Sequence, residues 1–233
     1  MASFVKESIE SSNHKCVGMY DPLGNGNYKD LKEIVNKIDG IIDFSHFSLT
    51  EEILKYAIEI NSPLVIATTG HTDEQKLKIE EASKKIAILK ATNTSLGVNI
   101  MNQIVSYATK LLADFDIELI EKHHNRKIDA PSGTAVTLLE VINESFSEKK
   151  NFVYGREGNK KREKNEIGVH AIRAGNIVGE HTVIFSSGDE IIEIKHEALS
   201  RKIFADGAVK AILSLISKPS GIYLMKDVLN INN

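Results

Sequence analysis

Cysteine is nearly absent from this chain: Cys16 is the only one in 233 residues, which excludes an internal disulfide framework. Long apolar runs are missing too. None approaches the roughly 18 residues that a membrane-spanning helix needs. The first fifteen residues, MASFVKESIESSNHK, read as a polar amphipathic segment rather than a secretory signal. A net charge of −3 gives no bulk attraction to nucleic acid or to an acidic membrane, and no basic stripe carries interleaved aromatics. Repeats and low-complexity tracts are also lacking. The expectation is a soluble, cytoplasmic protein with no nucleic-acid and no membrane partner.

What is present is ordinary globular composition, 42% hydrophobic and 26% charged, in a chain long enough for one large or two small domains. Over the first hundred residues, short apolar runs alternate with helical spacing. Residues 16–20, 40–44, 64–67 and 86–90 read as strands. Tyr28, Leu31, Ile34, Val35 and Ile38 predict one helix, Ile53, Leu54, Ala57 and Ile60 another, and a charged helix follows the third strand. Such alternation means a parallel sheet covered by helices on both faces. From Phe115 onward the texture changes to strands and hairpins, including residues 182–187 and 190–196 around Gly188-Asp189, which predicts a second, α+β domain. Residues 149–165, charged and glycine-containing, are expected to form a mobile loop over a site.

The densest chemistry lies in residues 121–135, EKHHNRKIDAPSGTA. Phe115, Ile117 and Leu119 alternate with Asp116 and Glu118 as in a strand, whereas Ala135, Leu138, Leu139, Ile142 and Phe146 recur at helical spacing. Pro131, Ser132, Gly133 and Thr134 therefore lie where a loop becomes a helix, and a helix start offers N–H groups and the positive dipole end to a carboxylate or phosphate. His123, His124, Arg126 and Lys127 add groups that hold positive charge or transfer protons. Each feature alone has a plain reading: a surface histidine pair, a solvated basic face, a capping sequence. Their coincidence in one loop reads as a reaction centre for an anion. A metal site does not fit, because neighbouring strand residues point to opposite faces and no thiolate partner is at hand.

These residues closely resemble the signature of the dihydrodipicolinate reductase family, E-x-H-H-x-x-K-x-D-A-P-S-G-T-A, which the chain matches completely. Similar stretches follow the family's order: IDFS at 42–45, ATTG at 67–70, NTSLGVN at 93–99, GREG at 155–158, IG at 167–168, RAGNIVGEH at 173–181 and FADGA at 204–208. The resemblance implies a Rossmann-like doubly wound nucleotide-binding domain (1–94 with 202–233, the last helix packing back on it) and an α+β substrate-binding and tetramerisation domain (95–201) with a mixed sheet. It implies an NAD(P)H-dependent reduction of a cyclic imine bearing two carboxylates, in lysine and diaminopimelate biosynthesis, by a homotetramer. His123 and Lys127 would be the proton-transfer pair, with Lys127 the donor to the ring. His124, Gly133 and Thr134 would hold a carboxylate, assisted by Ser132. Asp129 would orient the loop, while Arg173, Glu180 and His181 would be structural residues facing solvent or a subunit partner.

The nucleotide site would use Phe44, Ala67, Thr68 and Thr69 together with Ala91, Thr92, Asn93 and Thr94 along the nicotinamide half. Ala67 replaces a glycine common in the family, and Thr92-Asn93-Thr94 varies its Pro/Ala-Asn-Phe. Asp21, expected to end the second strand, could accept hydrogen bonds from an adenosine ribose and disfavour a 2′-phosphate, which favours NADH slightly over NADPH; the plain reading is a turn aspartate before Pro22. The chain lacks the strand and glycine-rich turn that normally open such a domain, and Met1 aligns with the methionine of the family's G-x-x-G-x-M-G. A start assigned at an internal methionine is the favoured explanation. Two readings stay open beside the reductase: an inactive or regulatory homologue that binds no dinucleotide, and a related oxidoreductase acting on another acid.

Overall fold

The computed structural model describes residues 1–228. The chain divides into two compact units, Met1–Leu96 together with the described residues from Arg201 onward, and Gly97–Ser200.

The first unit is built on a four-stranded, all-parallel sheet in the order β1-β2-β3-β9, where β1 is Ile41–Asp43, β2 Leu64–Ile66, β3 Ala87–Lys90 and β9 Gly221–Tyr223. Its strands are short apolar runs because both faces are covered. On one face Leu64, Ile66 and Ile88 pack against Ile53, Leu54 and Ala57 of α2 (Thr50–Glu59) and Ile79 and Ala82 of α3 (Asp73–Ser83). On the other, Val65 and Leu89 pack against Ala208, Ala211, Ile212 and Leu215 of α6 (Lys202–Leu215). Helix α3 is mostly polar, and its start is fixed by a capping box in which Thr72 and Gln75 bond reciprocally. Helix α1 (Ala2–Ser11) packs against α6.

Two expected elements of this unit are absent. Residues 16–20 form no strand: the only pairing is an isolated bridge between Tyr20 and Tyr28, because no ladder partner stands beside them among the described residues. The helix expected from Tyr28 to Ile38 reduces to one 3-10 turn, Leu31–Glu33. Asp30 caps that turn by accepting the Lys32 amide, Ile34 is already extended, and Val35 is 90% exposed. A segment that short needs a buried face to stay helical, and only Leu31 is buried here.

The second unit holds a five-stranded mixed sheet in the order β5-β6-β4-β7-β8: β4 Asp116–His123, β5 Asn151–Tyr154, β6 Glu166–Arg173, β7 Gly179–Ser186 and β8 Ile191–Ala198. Strand β4 is central, parallel to β6 and antiparallel to β7. The burial of β4 alternates strictly, with Ile117, Leu119, Glu121 and His123 turned inward. Its apolar members meet Met101 and Val105 of α4 (Leu96–Leu111) and Ala135, Leu138 and Ile142 of α5 (Gly133–Glu144). The opposite sheet face carries Glu118, Ile120, Lys122, Ile172 and Ile184, with Ile172 42% exposed. Residues 149–165 are not one free loop. They contribute β5, and Arg156 and Arg162 are bound to Glu118, Glu166 and Asp116 on the neighbouring strands, so basic side chains expected in solvent are tied to the sheet.

Candidate active site

Strand β4 delivers Glu121 and His123 to one face, because residues two apart on a strand point the same way. The register sets His123 opposite Arg173 on β6 and Glu121 opposite His181 on β7. After β4 the chain turns sharply: the Lys127 amide donates to the His124 carbonyl at 3.1 Å, and the Asn125 amide donates to Gly175 at 3.2 Å. Arg126 grips the Asn176 side chain. The loop then enters α5 with Ser132 as its N-cap, the Ser132 hydroxyl accepting the Ala135 amide at 3.3 Å.

Glu121 is the hub of this arrangement, and its side chain is wholly buried. Oε1 accepts the Ser132 amide (3.0 Å) and Arg173 Nη2 (2.7 Å), while Oε2 accepts His123 Nδ1 (2.6 Å) and Arg173 Nη1 (2.8 Å). Burial by itself would raise the Glu121 pKa, but the bonds from His123, Arg173 and Ser132 outweigh it and hold the carboxyl at about 2. His181 sits beside this centre, its Nε2 2.9 Å from the Ser132 hydroxyl and its ring edge-on to His123 at 5.2 Å. Burial above all, with His123, His196 and Lys127 acting in the same direction and Glu121 against it, lowers the His181 pKa to about 4. Lys127 is mostly buried and pairs with the Asp129 carboxylate at 2.8 Å.

The predicted residues of the reaction centre thus gather in one place. His123 and Ser132 share a partner, Lys127 lies within electrostatic range of His181, His124 opens the turn, and Gly133 and Thr134 form the first turn of α5. At Gly133 an added Cβ would meet nothing within 4 Å, so its backbone is open to a ligand. Ser132 is 2% exposed, and both its amide and its hydroxyl are committed inside the protein. Arg173 and His181 correct the reading that places them toward solvent or a subunit partner: both are turned into the centre. Glu121, inside the motif but given no role there, was legible from its i, i+2 spacing to His123. No local signal announced Arg173, whose place depends on strand register.

In the first unit, the segments expected to hold a nucleotide leave one common edge of the parallel sheet, at the C-terminal ends of β1, β2 and β3, where ligands of such sheets bind. Phe44 follows β1 and packs on the α6 side of the sheet. Ala67, Thr68 and Thr69 follow β2; Thr68 donates its hydroxyl to the Ser45 carbonyl at 3.1 Å, Thr69 is exposed, and the turn is completed by Gly70 at φ 84°. Ala91, Thr92, Asn93 and Thr94 follow β3. Asn93 accepts the Ser95 amide at 2.9 Å, and Thr94 donates to the Phe204 carbonyl at 2.6 Å, so its hydroxyl fastens α6. The exposed hydroxyls of Thr69 and Thr92, the Asn93 side-chain amide and the turn backbone suit the amide and ribose of a nicotinamide nucleotide, whereas the buried Thr68 and Thr94 hydroxyls hold the turns themselves. Asp21 is on no strand, contrary to expectation. It closes its own turn, accepting the Leu23 amide (2.8 Å) and Asn25 Nδ2 (3.1 Å). Among the described residues no group of three or more potential ligands is arranged for a metal ion.

A parallel α/β unit with a nucleotide-type edge and a mixed-sheet unit with a buried Glu–His–Arg centre define a two-unit oxidoreductase. Comparison with known proteins narrows this. Residues 1–94 match the N-terminal part, and residues 97–229 the C-terminal part, of the family described as dihydrodipicolinate reductase. A 4-hydroxy-tetrahydrodipicolinate reductase of Brachyspira hyodysenteriae is 47% identical over 230 residues, 98% of this chain and 95% of that protein. Another, from Clostridium tetani, is 50% identical over 193 residues, 82% and 76% of the two chains. The dipicolinate-bound dihydrodipicolinate reductase of Paenisporosarcina sp. TG-14 shares the fold with a TM-score of 0.75 at 22% identity, covering 99% of this chain and 94% of its own. The chain belongs to the dihydrodipicolinate reductase family, and with it to the reductases of lysine and diaminopimelate biosynthesis.

Proposed function

We propose that the protein reduces the dihydrodipicolinate-type cyclic imine, formed from 4-hydroxy-tetrahydrodipicolinate, to tetrahydrodipicolinate with NADH or NADPH. The bound dinucleotide supplies the hydride. The chain's own residues hold the dianion and supply the proton that balances it. Lys127 is the proton donor to the ring and His123 the second member of the pair. His124, with the backbone of Gly133 and Thr134, holds a carboxylate at the positive end of α5. Ser132 assists from inside, keeping that helix start in place. Negative charge develops on the ring as hydride arrives, and fixed cations close by lower that barrier.

The observation that carries this reading is the single carboxylate of Glu121 bonded at once to His123 and to the Ser132 amide, which ties a proton-transfer ring to an anion-binding helix start. Phe44, Ala67, Thr68 and Thr69, with Ala91, Thr92, Asn93 and Thr94, would hold the nicotinamide half of the cofactor. Asp21 keeps a lone pair on each oxygen beyond its turn bonds, enough to accept a ribose hydroxyl and to repel a 2′-phosphate, so NADH is slightly preferred. We further propose a cytoplasmic homotetramer assembled through the open sheet face around Ile120, Ile172 and Ile184, since the helices of the second unit cover only the other face.

The test is oxidation of NADH by the purified protein with enzymatically generated substrate. Turnover is expected, and Lys127→Ala should lower kcat by about 10²-fold or more while the Kd for NADH, read by fluorescence, changes little. A variant with undiminished kcat removes Lys127 from the chemistry, and absence of turnover in the parent protein overturns the reductase reading.

A further inference from the structure

The four hydrogen bonds to Glu121 use it entirely within the protein, so it does not meet a substrate. What it does control is the ring next to it. An ionised carboxylate only accepts hydrogen bonds, and it stands 2.6 Å from His123 Nδ1. Nδ1 must therefore carry the hydrogen, which leaves Nε2 as the nitrogen that takes or gives a proton. Gly179 lies on that flank, where an added Cβ would come within 3.1 Å of Nε2, so the glycine keeps that side of the working nitrogen clear. Arg173 completes the device. Its two-pronged grip keeps the buried carboxylate charged, and a neutral Glu121 could donate as well as accept and would lose control of the ring.

We propose that Glu121 is a positioning residue, which fixes His123 in the Nδ1-protonated tautomer and at the same time anchors the start of α5 through the Ser132 amide. Arg173 is the second half of that device, across the strand. The arrangement follows the general logic of a base oriented by a third group. It rests on the proton-transfer role proposed above for His123.

The experiment reads the ring directly. With ¹⁵N-labelled histidine, two-bond ¹H–¹⁵N correlation spectra of the protein without substrate, recorded where the ring is neutral, should show His123 protonated at Nδ1. In Glu121→Gln the neutral ring should shift toward the Nε2-protonated form, with kcat lowered by about 10²-fold and KM for the imine changed by less than a few-fold. A folded Glu121→Gln protein that keeps the parent tautomer and kcat overturns the proposal. Should that variant not fold, the parent spectrum decides alone: hydrogen on Nε2 overturns it. His123→Gln with full kcat removes the histidine from the chemistry, and the proposal with it, even where the parent tautomer is as expected; that separates failure of the underlying reading from failure of this one.

Discussion

Arg173, at the end of β6, holds both carboxylate oxygens of Glu121, 2.7 and 2.8 Å away, from the neighbouring strand β4. The same guanidinium also donates to the Asp129 and Ile172 carbonyls, so strand, loop and carboxylate share one anchor. Removing one partner of such a pair leaves an uncompensated buried charge, which typically costs about 3–5 kcal/mol. Arg173→Ala should therefore lose stability on that scale in urea unfolding. Arg173→Met with Glu121→Leu should lose less than the two single changes added together, because neither charge is then left alone.

Acid should unfold the protein in two stages. His181 is held at about 4 against an ordinary 6.5, so the unfolded chain binds a proton that the folded one refuses, and stability falls as pH drops from 6.5 toward 4. Glu121 is held at about 2 against 4.5, so its contribution is complete above 4.5 and is lost between there and 2. Each shift corresponds to a change on the order of 3 kcal/mol. Thermal melting across pH 7 to 3 checks this. Replacing His181 by Gln should shrink the upper stage, which burial of His71 and His196 also feeds, and leave the lower; an unchanged upper stage would assign it to those two histidines.

Gly207 in α6 lies against the Thr94 carbonyl so closely that an added Cβ would run into it. The obstacle is backbone, which cannot swing aside as a side chain could. Gly207→Ala should therefore push α6 off the turn after β3, strain the Thr94 to Phe204 hydrogen bond and cost about 1–3 kcal/mol. The check is the urea midpoint of the variant, together with its Kd for NADH, which should weaken because Ala91, Thr92, Asn93 and Thr94 move with that turn.

Where the signal is local, the sequence was readable. The β/α alternation from Ile41 to Lys90 was read from apolar runs that bury on both faces, and the change from strand to helix across residues 121–135 from two periods meeting at a capping serine. The hairpin at Gly188-Asp189 was similarly plain. Elements that could not be read depend on partners distant in sequence. Residues 16–20 have strand composition but, beyond the single Tyr20 to Tyr28 bridge, no ladder neighbour among the described residues, and the apolar positions from Tyr28 to Ile38 have helical spacing but little core to face. Arg173 and His181 look like ordinary strand polar residues until the register of β6 and β7 against β4 sets them beside Glu121.

The order of elements along the chain has a consequence for how the protein is made. The first unit needs α6 and β9, yet both are translated after the whole of the second, so Val65 and Leu89 wait for their cover while about a hundred residues emerge. The core of the second unit draws only on its own residues, so it can close as soon as it clears the ribosome. The nascent chain therefore finishes its middle before its beginning, and through that interval the unfinished parallel sheet is the surface a chaperone would find.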